Sequence, residues 1–413
     1  MNRNVLSNFL RSIVKRGTLE VVYADGSIDA FGAFDEDFPD VAISFSDDEV
    51  PRDILIDPRL GAAEAFMDGR LNMERGGIID LIYLLRANQP WDKGGELRGP
   101  KLGKRLLNRA AFGIEGLNDR IRSKRNVSHH YDIGNDLYRL MLDPEHMQYS
   151  CGYWPEGVTT LAEAQEAKLA HIAAKLYLQP GQRVLDIGCG WGGMAIFLAQ
   201  KFDVRVLGIT LSEEQLALAR ERAREAGVAD KVSFELVDYR DLPERGETFD
   251  RIVSVGMFEH VGRPQFGTFF ETCGNLLGPD GVILVHTIGR FGGPGTTDAF
   301  TRKYIFPGGY IPALSEMLAA SEKYRLIHTD VETLRLHYAK TLRAWYANCE
   351  ANREAIIAMY DERFYRMWTF YLAGATAAFE WGGMGNYQIQ YCRIRRTLPL
   401  SRDYMAETER SLR

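Results

Sequence analysis

The segment Asp186-Ile187-Gly188-Cys189-Gly190-Trp191-Gly192-Gly193 follows a short apolar run and leads into Met194-Ala195-Ile196-Phe197-Leu198-Ala199. Alternating glycines let a ligand approach backbone that any side chain would cover. The N–H groups of such a turn, and of the helix it opens, favour an anion. Either the pyrophosphate of a dinucleotide or the methionine carboxylate of S-adenosylmethionine would fit. The Asp-x-Gly-x-Gly-x-Gly spelling favours the second. An ordinary strand-to-helix turn is the bland alternative, because glycine motifs alone are weak.

Dinucleotide-binding folds place an acid at the end of the second strand to hold the ribose. Here that strand ends Gly208-Ile209-Thr210-Leu211-Ser212, and the first carboxylate is Glu213. Thr210 and Gln215 would have to supply the ribose or carboxylate contacts. The third strand ends Val237-Asp238-Tyr239, where Asp238 can receive an adenine amino group and Tyr239 can stack. Four further segments put polar residues in apolar surroundings: Tyr149-Ser150-Cys151-Gly152-Tyr153-Trp154, Met257-Phe258-Glu259-His260-Val261-Gly262, Val285-His286-Thr287-Ile288-Gly289 and His337-Tyr338-Ala339-Lys340-Thr341-Leu342. Any single one of these polar residues reads most simply as a satisfied buried group.

The elements that must position these residues alternate. Strands are expected at 184–186, 204–209, 232–236, 249–255 and 281–286, with a helix from Gly193 and another over 212–226. Ser212 with Gln215 three residues on is a capping-box start. This is the α/β pattern of a doubly wound, mostly parallel sheet, with its ligand at the carboxyl ends of the strands. Residues 1–95 read as a smaller N-terminal α+β domain, with strands at 18–23 and 41–45, a turn at Asp25-Gly26 and helices at 60–67 and 77–85. Residues 96–128 form a connector, and 129–413 the catalytic domain.

The chain's 413 residues, 46% hydrophobic and 26% charged, suit two or three globular domains. No apolar run reaches the ~20 residues of a membrane span, and no signal peptide is visible, so export is not expected. The five cysteines lack metal or disulfide spacing, which suits a reducing cytosol and argues against a metal site. A net charge of −6 gives no reason to expect nucleic acid. The connector is locally different. Arg98, Lys101, Lys104, Arg105, Arg109, Arg120, Arg122, Lys124 and Arg125 are interleaved with Leu102, Leu106, Leu107 and Phe112. Such a segment can lie on an anionic bilayer surface; a solvated linker is the alternative.

Taken with Tyr131-Asp132-Ile133-Gly134-Asn135-Asp136 and Tyr304-Ile305-Phe306-Pro307-Gly308-Gly309, these motifs resemble the cyclopropane-fatty-acyl-phospholipid synthases, relatives of the mycolic acid cyclopropane synthases. The resemblance runs from about 125 to 400. It implies a class I methyltransferase fold and an enzyme that moves the methyl carbon of S-adenosylmethionine onto a cis double bond of a phospholipid acyl chain. The resulting carbocation must be shielded from water and lose a proton so that the ring closes. The family uses bound bicarbonate as the base. The resemblance assigns its ligands to Cys151, Glu259, His286, Ile288 (through the backbone amide) and Tyr338. It assigns the cofactor to Tyr149, Ser150, the Gly188, Gly190 and Gly192 turn, Thr210, Leu211, Gln215, Asp238 and Tyr239. Glu259 beside an anion calls for a raised pKa, and His286 is expected to donate a ring N–H.

Tyr149, Tyr153, Trp154, Phe258, Tyr304 and Phe306 are available to stabilise the cation. His260, next to Glu259, reads as structural. Many relatives carry a cysteine where this chain has Ala375, which argues against a general nucleophile there, since alkene methylation needs no covalent enzyme intermediate. The implied partners are unsaturated acyl chains and an anionic phospholipid surface, at the inner face of the cytoplasmic membrane. A homodimer stays open. A methylene or methyl-branched product, or a noncatalytic lipid-binding protein, are the alternatives.

Overall fold

The computed structural model describes residues 2–95 and 134–412. The connector and the start of the Tyr131 motif lie outside the described residues. Residues 2–95 form α1 (Asn2–Ile13), β1 (Gly17–Val22), β2 (Ile28–Ala33), β3 (Asp40–Phe45), α2 (Val50–Ile56), α3 (Pro58–Met67), β4 (Leu71–Arg75) and α4 (Ile78–Ala87). The sheet order is β2-β1-β3-β4, with β1 and β3 parallel and the other pairs antiparallel. The Asp25-Gly26 turn joins the β1–β2 hairpin. Two strands and two helices here were not expected. α1 buries Leu6, Leu10 and Ile13, one helical stripe. β2 is an edge strand with only Phe31 buried, so it shows no alternation in the sequence.

The following elements are α5 (Asn135–Met141), α6 (Leu161–Leu176), β5 (Arg183–Ile187), α7 (Gly193–Lys201), β6 (Arg205–Thr210), α8 (Glu213–Glu225), β7 (Val232–Leu236), β8 (Phe249–Val255), α9 (Phe266–Leu276), β9 (Leu277–Arg290), α10 (Leu314–Glu322), β10 (Ile327–Leu334), α11 (His337–Ala351), α12 (Arg353–Met359), α13 (Glu362–Glu380), β11 (Met384–Cys392) and α14 (Asp403–Leu412). A seven-stranded sheet runs β10-β11-β9-β8-β5-β6-β7, and β5 pairs in parallel with both β6 and β8. The strand order therefore reverses at β5, which puts the crevice at its carboxyl end. Both faces are buried. Leu185, Ile187, Ile209, Ile252 and Val285 enter one core, while Val184, Val206, Val253 and Leu284 enter the other. That period-2 split follows from the alternation of side chains along a strand.

β11 runs antiparallel to β9 and to β10. It was not anticipated because Asn386, Gln388 and Gln390 interrupt its apolar residues, yet all three are buried.

The described residues divide into two compact units in a way the linear boundaries do not follow. Residues 297–307 and 342–383 group with 2–95, and the rest form the second unit. Within the first unit, Arg363 pairs with Asp68 at 2.8 Å and Lys303 with Glu64 at 2.7 Å. Arg366 donates to the Phe66 carbonyl at 3.1 Å and to Asn72 at 3.2 Å. A segment nearly 300 residues downstream in sequence thus completes the small unit. Among the described residues no helix is long and apolar enough to cross a membrane.

Candidate active site

The glycine turn leaves β5 with Gly188, Gly190 and Gly192 all at positive φ (+81°, +54° and +80°), where side chains are strained. A Cβ on Gly188 would lie 2.8 Å from Met257, and one on Gly192 would lie 2.6 Å from the Phe234 ring. A Cβ on Gly190 would meet nothing within 4 Å, because that position opens onto the main pocket. Gly192 caps α7 from behind the pocket, so close packing on Phe234 accounts for it rather than the pocket wall. Trp191 in the turn is fixed by its indole N–H, which donates to Asn135 Oδ1 at 2.8 Å.

Of the other residues assigned to the cofactor, Tyr149, Ser150, Thr210, Leu211, Gln215, Asp238 and Tyr239 all line this pocket. Thr210 Oγ1 donates to Gln215 Oε1 at 2.8 Å. Ser212 Oγ accepts the Gln215 N–H at 3.3 Å, so only half of the capping box forms and the Gln215 side chain faces Thr210 instead. Asp238 is paired with the Arg240 guanidinium at 2.5 Å. Tyr149 meets Tyr138 edge to face at 5.1 Å. Gln148, Asp186, Arg240 and His260 also line this pocket and were not assigned to the cofactor, His260 having been read as structural. The first acid of the glycine motif was the available signal for Asp186. Its Oδ2 is buried without a hydrogen-bond partner, and burial, partly offset by Lys168, pushes its pKa up to about 7.

The residues assigned to the anion are joined in two groups. In the first, Glu259 Oε1 accepts the backbone N–H of Ile288 at 2.6 Å, and His286 lies two residues earlier on β9, on the same face. Glu259 Oε2 is buried without a partner. Burial raises the Glu259 pKa to about 7, outweighing the stabilisation of its carboxylate by the Ile288 N–H, its own N–H and the Thr287 hydroxyl. The Ile288 N–H therefore points at Glu259, and an anion could use it only by sharing.

His286 is held at both ring nitrogens, Nδ1 by the Gln388 carboxamide at 3.1 Å and Nε2 by the Asn386 carboxamide at 3.2 Å. Burial drives its pKa down to about 3. A neutral imidazole offers one donor and one acceptor, whereas both carboxamides present their NH₂ groups to it and keep their oxygens buried without partners, so β11 satisfies the ring acceptor and not the ring N–H. The ring N–H is therefore not committed to β11 as these carboxamides stand, and only turning one of them over would commit it.

In the second group, Gly152 N–H donates to Thr341 Oγ1 at 3.0 Å and Trp154 N–H to His337 Nδ1 at 2.8 Å. These bonds pin the Cys151 segment to the start of α11, which carries the buried Tyr338. The Cys151 thiol is fully buried, and burial pushes its pKa up.

The aromatic residues fall in both units. Phe258 is fully buried among Phe266, Phe269 and Phe270 and presents no face to a substrate, contrary to expectation. Tyr153 is stacked between His171 and His337, with centroids at 4.0 and 5.0 Å. Tyr304 donates to Glu64 and Phe306 meets Tyr371, both in the first unit. Ala375 is half-buried on α13, also in that unit.

Comparison with known proteins bears on this arrangement. The family model for mycolic acid cyclopropane synthetase matches residues 118–389. The cyclopropane-fatty-acyl-phospholipid synthase of Escherichia coli (strain K12) is 40% identical over 342 residues, 82% of this chain and 85% of that protein. A probable fatty acid methyltransferase of Pseudomonas putida is 43% identical over 289 residues, 68% of this chain and 73% of that one. The crystal structure of mycolic acid cyclopropane synthase CmaA1, complexed with SAH and CTAB, superposes with a TM-score of 0.61 at 35% identity, covering 65% of this chain and 97% of that one. With its glycine turn, its reversal at β5 and a match over most of its length, the chain belongs to the mycolic acid cyclopropane synthetase family.

Proposed function

We propose that this protein cyclopropanates unsaturated acyl chains of phospholipids, using bicarbonate as the base. It is an S-adenosylmethionine-dependent methyltransferase of its family. The observation that carries the finer reading is Glu259. Its carboxyl is buried, held near neutrality, bonded at one oxygen to Ile288 and unpartnered at the other. An orphaned buried carboxyl oxygen is costly unless a partner arrives, and a small oxyanion that shares its proton would be one.

The donor set fits such a group. Cys151 and Tyr338 bring an S–H and an O–H, Glu259 shares a proton, and the low-pKa His286, locked by Asn386 and Gln388, adds no competing charge. Bicarbonate held there would supply a base compact enough to sit against an acyl chain. Gly188, Gly190, Tyr149, Ser150, Thr210, Leu211, Gln215, Asp238 and Tyr239 would hold S-adenosylmethionine, which supplies the methyl carbon. The small unit and the basic connector would bring the enzyme to an anionic membrane surface from the cytoplasmic side.

The second reading, methylation without ring closure, is favoured by the relative from Pseudomonas putida, described as a probable fatty acid methyltransferase. Lipids from cells with and without the protein decide between them by mass spectrometry and proton NMR. A gain of one CH₂ in monounsaturated chains, with the olefin lost and ring protons present, is expected. A gain of one CH₂ with an olefin retained would select the second reading, and unchanged lipids would reject both.

A further inference from the structure

Helix α6 carries a lysine where a core helix has little reason for one. Lys168 is fully buried. Among the described residues no carboxylate forms an ion pair with it. Its ammonium donates to Gln148 Oε1 and, at 3.0 Å, to Ser150 Oγ. Three residues earlier on the same face, Gln165 donates to the Ser150 carbonyl at 3.0 Å and the Gln148 carbonyl at 3.4 Å. From the other side, Asp143 accepts the backbone N–H groups of His146 (2.6 Å), Met147 (3.1 Å) and Gln148 (3.0 Å).

Gln148, Tyr149 and Ser150 form one wall of the glycine-turn pocket. The wall is therefore a loop suspended between a carboxylate and a buried ammonium. The titratable groups that interact with that ammonium are Asp143 and His146 from the same loop, Cys151, Asp186 on β5 and His286 on β9. Asp186 is the one with an orphaned oxygen on the pocket wall.

We infer that Lys168 is a positioning residue for the cofactor: through Gln148 and Ser150 it holds one wall of the glycine-turn pocket. A lysine sharing a buried, unpaired site with a carboxyl is retained at a cost to stability, and a wall that must stay fixed while ligands enter and leave gives that cost a function. Leu169 and Ile172 of the same helix are core residues, and methionine keeps an unbranched chain of similar length without the ammonium tip.

The inference rests on assigning the cofactor to this pocket. The test measures S-adenosylmethionine and S-adenosylhomocysteine affinity by calorimetry, and KM and kcat with vesicles of monounsaturated phospholipid. Lys168→Met is expected to raise the cofactor KM about tenfold or more while kcat falls less than threefold. Lys168→Gln, which keeps a donor but no charge, should recover part of the loss. Ser150→Ala should raise KM on its own, and combined with Lys168→Met should add little, because both act through one contact. A cofactor KM within twofold of wild type in Lys168→Met overturns the inference. Should that variant fail to fold, an unchanged KM in Ser150→Ala does so instead. Gly190→Val separates the two levels. Unchanged affinity there removes the pocket assignment itself, whereas lost affinity there with a silent Lys168→Met removes only the role of Lys168.

Discussion

The carboxyl of Glu259 and the backbone amide of Ile288 meet at 2.6 Å, which ties the loop after β8 to β9 two residues beyond His286. The bond leaves one carboxyl oxygen for anything that enters, and burial keeps the group protonated up to about pH 7.

Glu259→Gln and His286→Ala are accordingly expected to lower turnover far more than cofactor affinity, by about 10²–10⁴-fold if they serve a general base. The sign of the pH effect follows from the raised pKa. Neutral Glu259 prevails below about pH 7, so wild-type turnover should fall as pH rises through that value. Glu259→Gln, neutral throughout, should lose that limb. Added bicarbonate should restore part of the rate if occupancy is the defect. Turnover at saturating cofactor, with and without bicarbonate across pH 6 to 9, is the measurement; rates within twofold of wild type for both variants would contradict the site.

Gly190→Val is expected to abolish cofactor binding. At φ +54° a β-branched residue is strained, and its side chain would project into the open space of the pocket. Calorimetry on the folded variant checks this, and an undiminished affinity would remove the cofactor from this turn.

Neutralising Lys101, Lys104, Arg105 and Arg109 together should weaken binding to anionic vesicles by about 1 kcal/mol per charge. The loss should shrink at high salt, where screening already removes the attraction. Flotation assays in low and high salt read the effect; four silent substitutions would leave the connector a plain linker.

His171 is sandwiched between two carboxylates, with Nε2 2.7 Å from Glu332 and Nδ1 2.9 Å from Glu409. Burial alone would lower its pKa, but the two hydrogen bonds outweigh it and raise the value above 6.5. A raised histidine pKa gives stability that is complete below the unfolded value and lost as pH climbs through the folded one. Glu332, held low by His171 and Lys175 against the effect of burial, stays ionised through mildly acidic pH. His171→Gln should therefore destabilise by about 1–3 kcal/mol at pH 5.5 and by clearly less at pH 9. Urea unfolding at the two pH values checks it, and equal losses at both would mean the histidine is not charged in the fold.

The parallel half of the large sheet was legible because its strands are continuous apolar runs that end where polar residues begin. Strands 232–236 and 249–255 emerge with the bounds the sequence suggested. The pocket residues were legible for the same reason, since Thr210 and Asp238 stand at strand ends. What was hidden had no local signal. Asn386 and Gln388 look like surface residues until β9 is beside them. Lys168 looks like the polar face of an amphipathic helix, yet its partners lie on a loop about twenty residues upstream. Phe258 sits beside Glu259 in sequence but turns into the aromatic core, because successive residues of a 3₁₀ turn point about 120° apart. The membership of 342–383 in the small unit is a matter of long-range packing, which no window of sequence reports.

That membership sets an order of events during synthesis. A chain emerging from the ribosome has made all four strands of the small sheet and helices α3 and α4 by residue 87, yet it cannot seat α13 on those helices until residue 380 has been translated. The first unit begun is thus among the last to be finished, and the apolar surface of α3 and α4 must wait while most of the second unit is produced. Closing so long a loop is slow and leaves surface open to aggregation. Cells making this protein quickly, or at high temperature, should draw on chaperones for its first hundred residues rather than for its second unit.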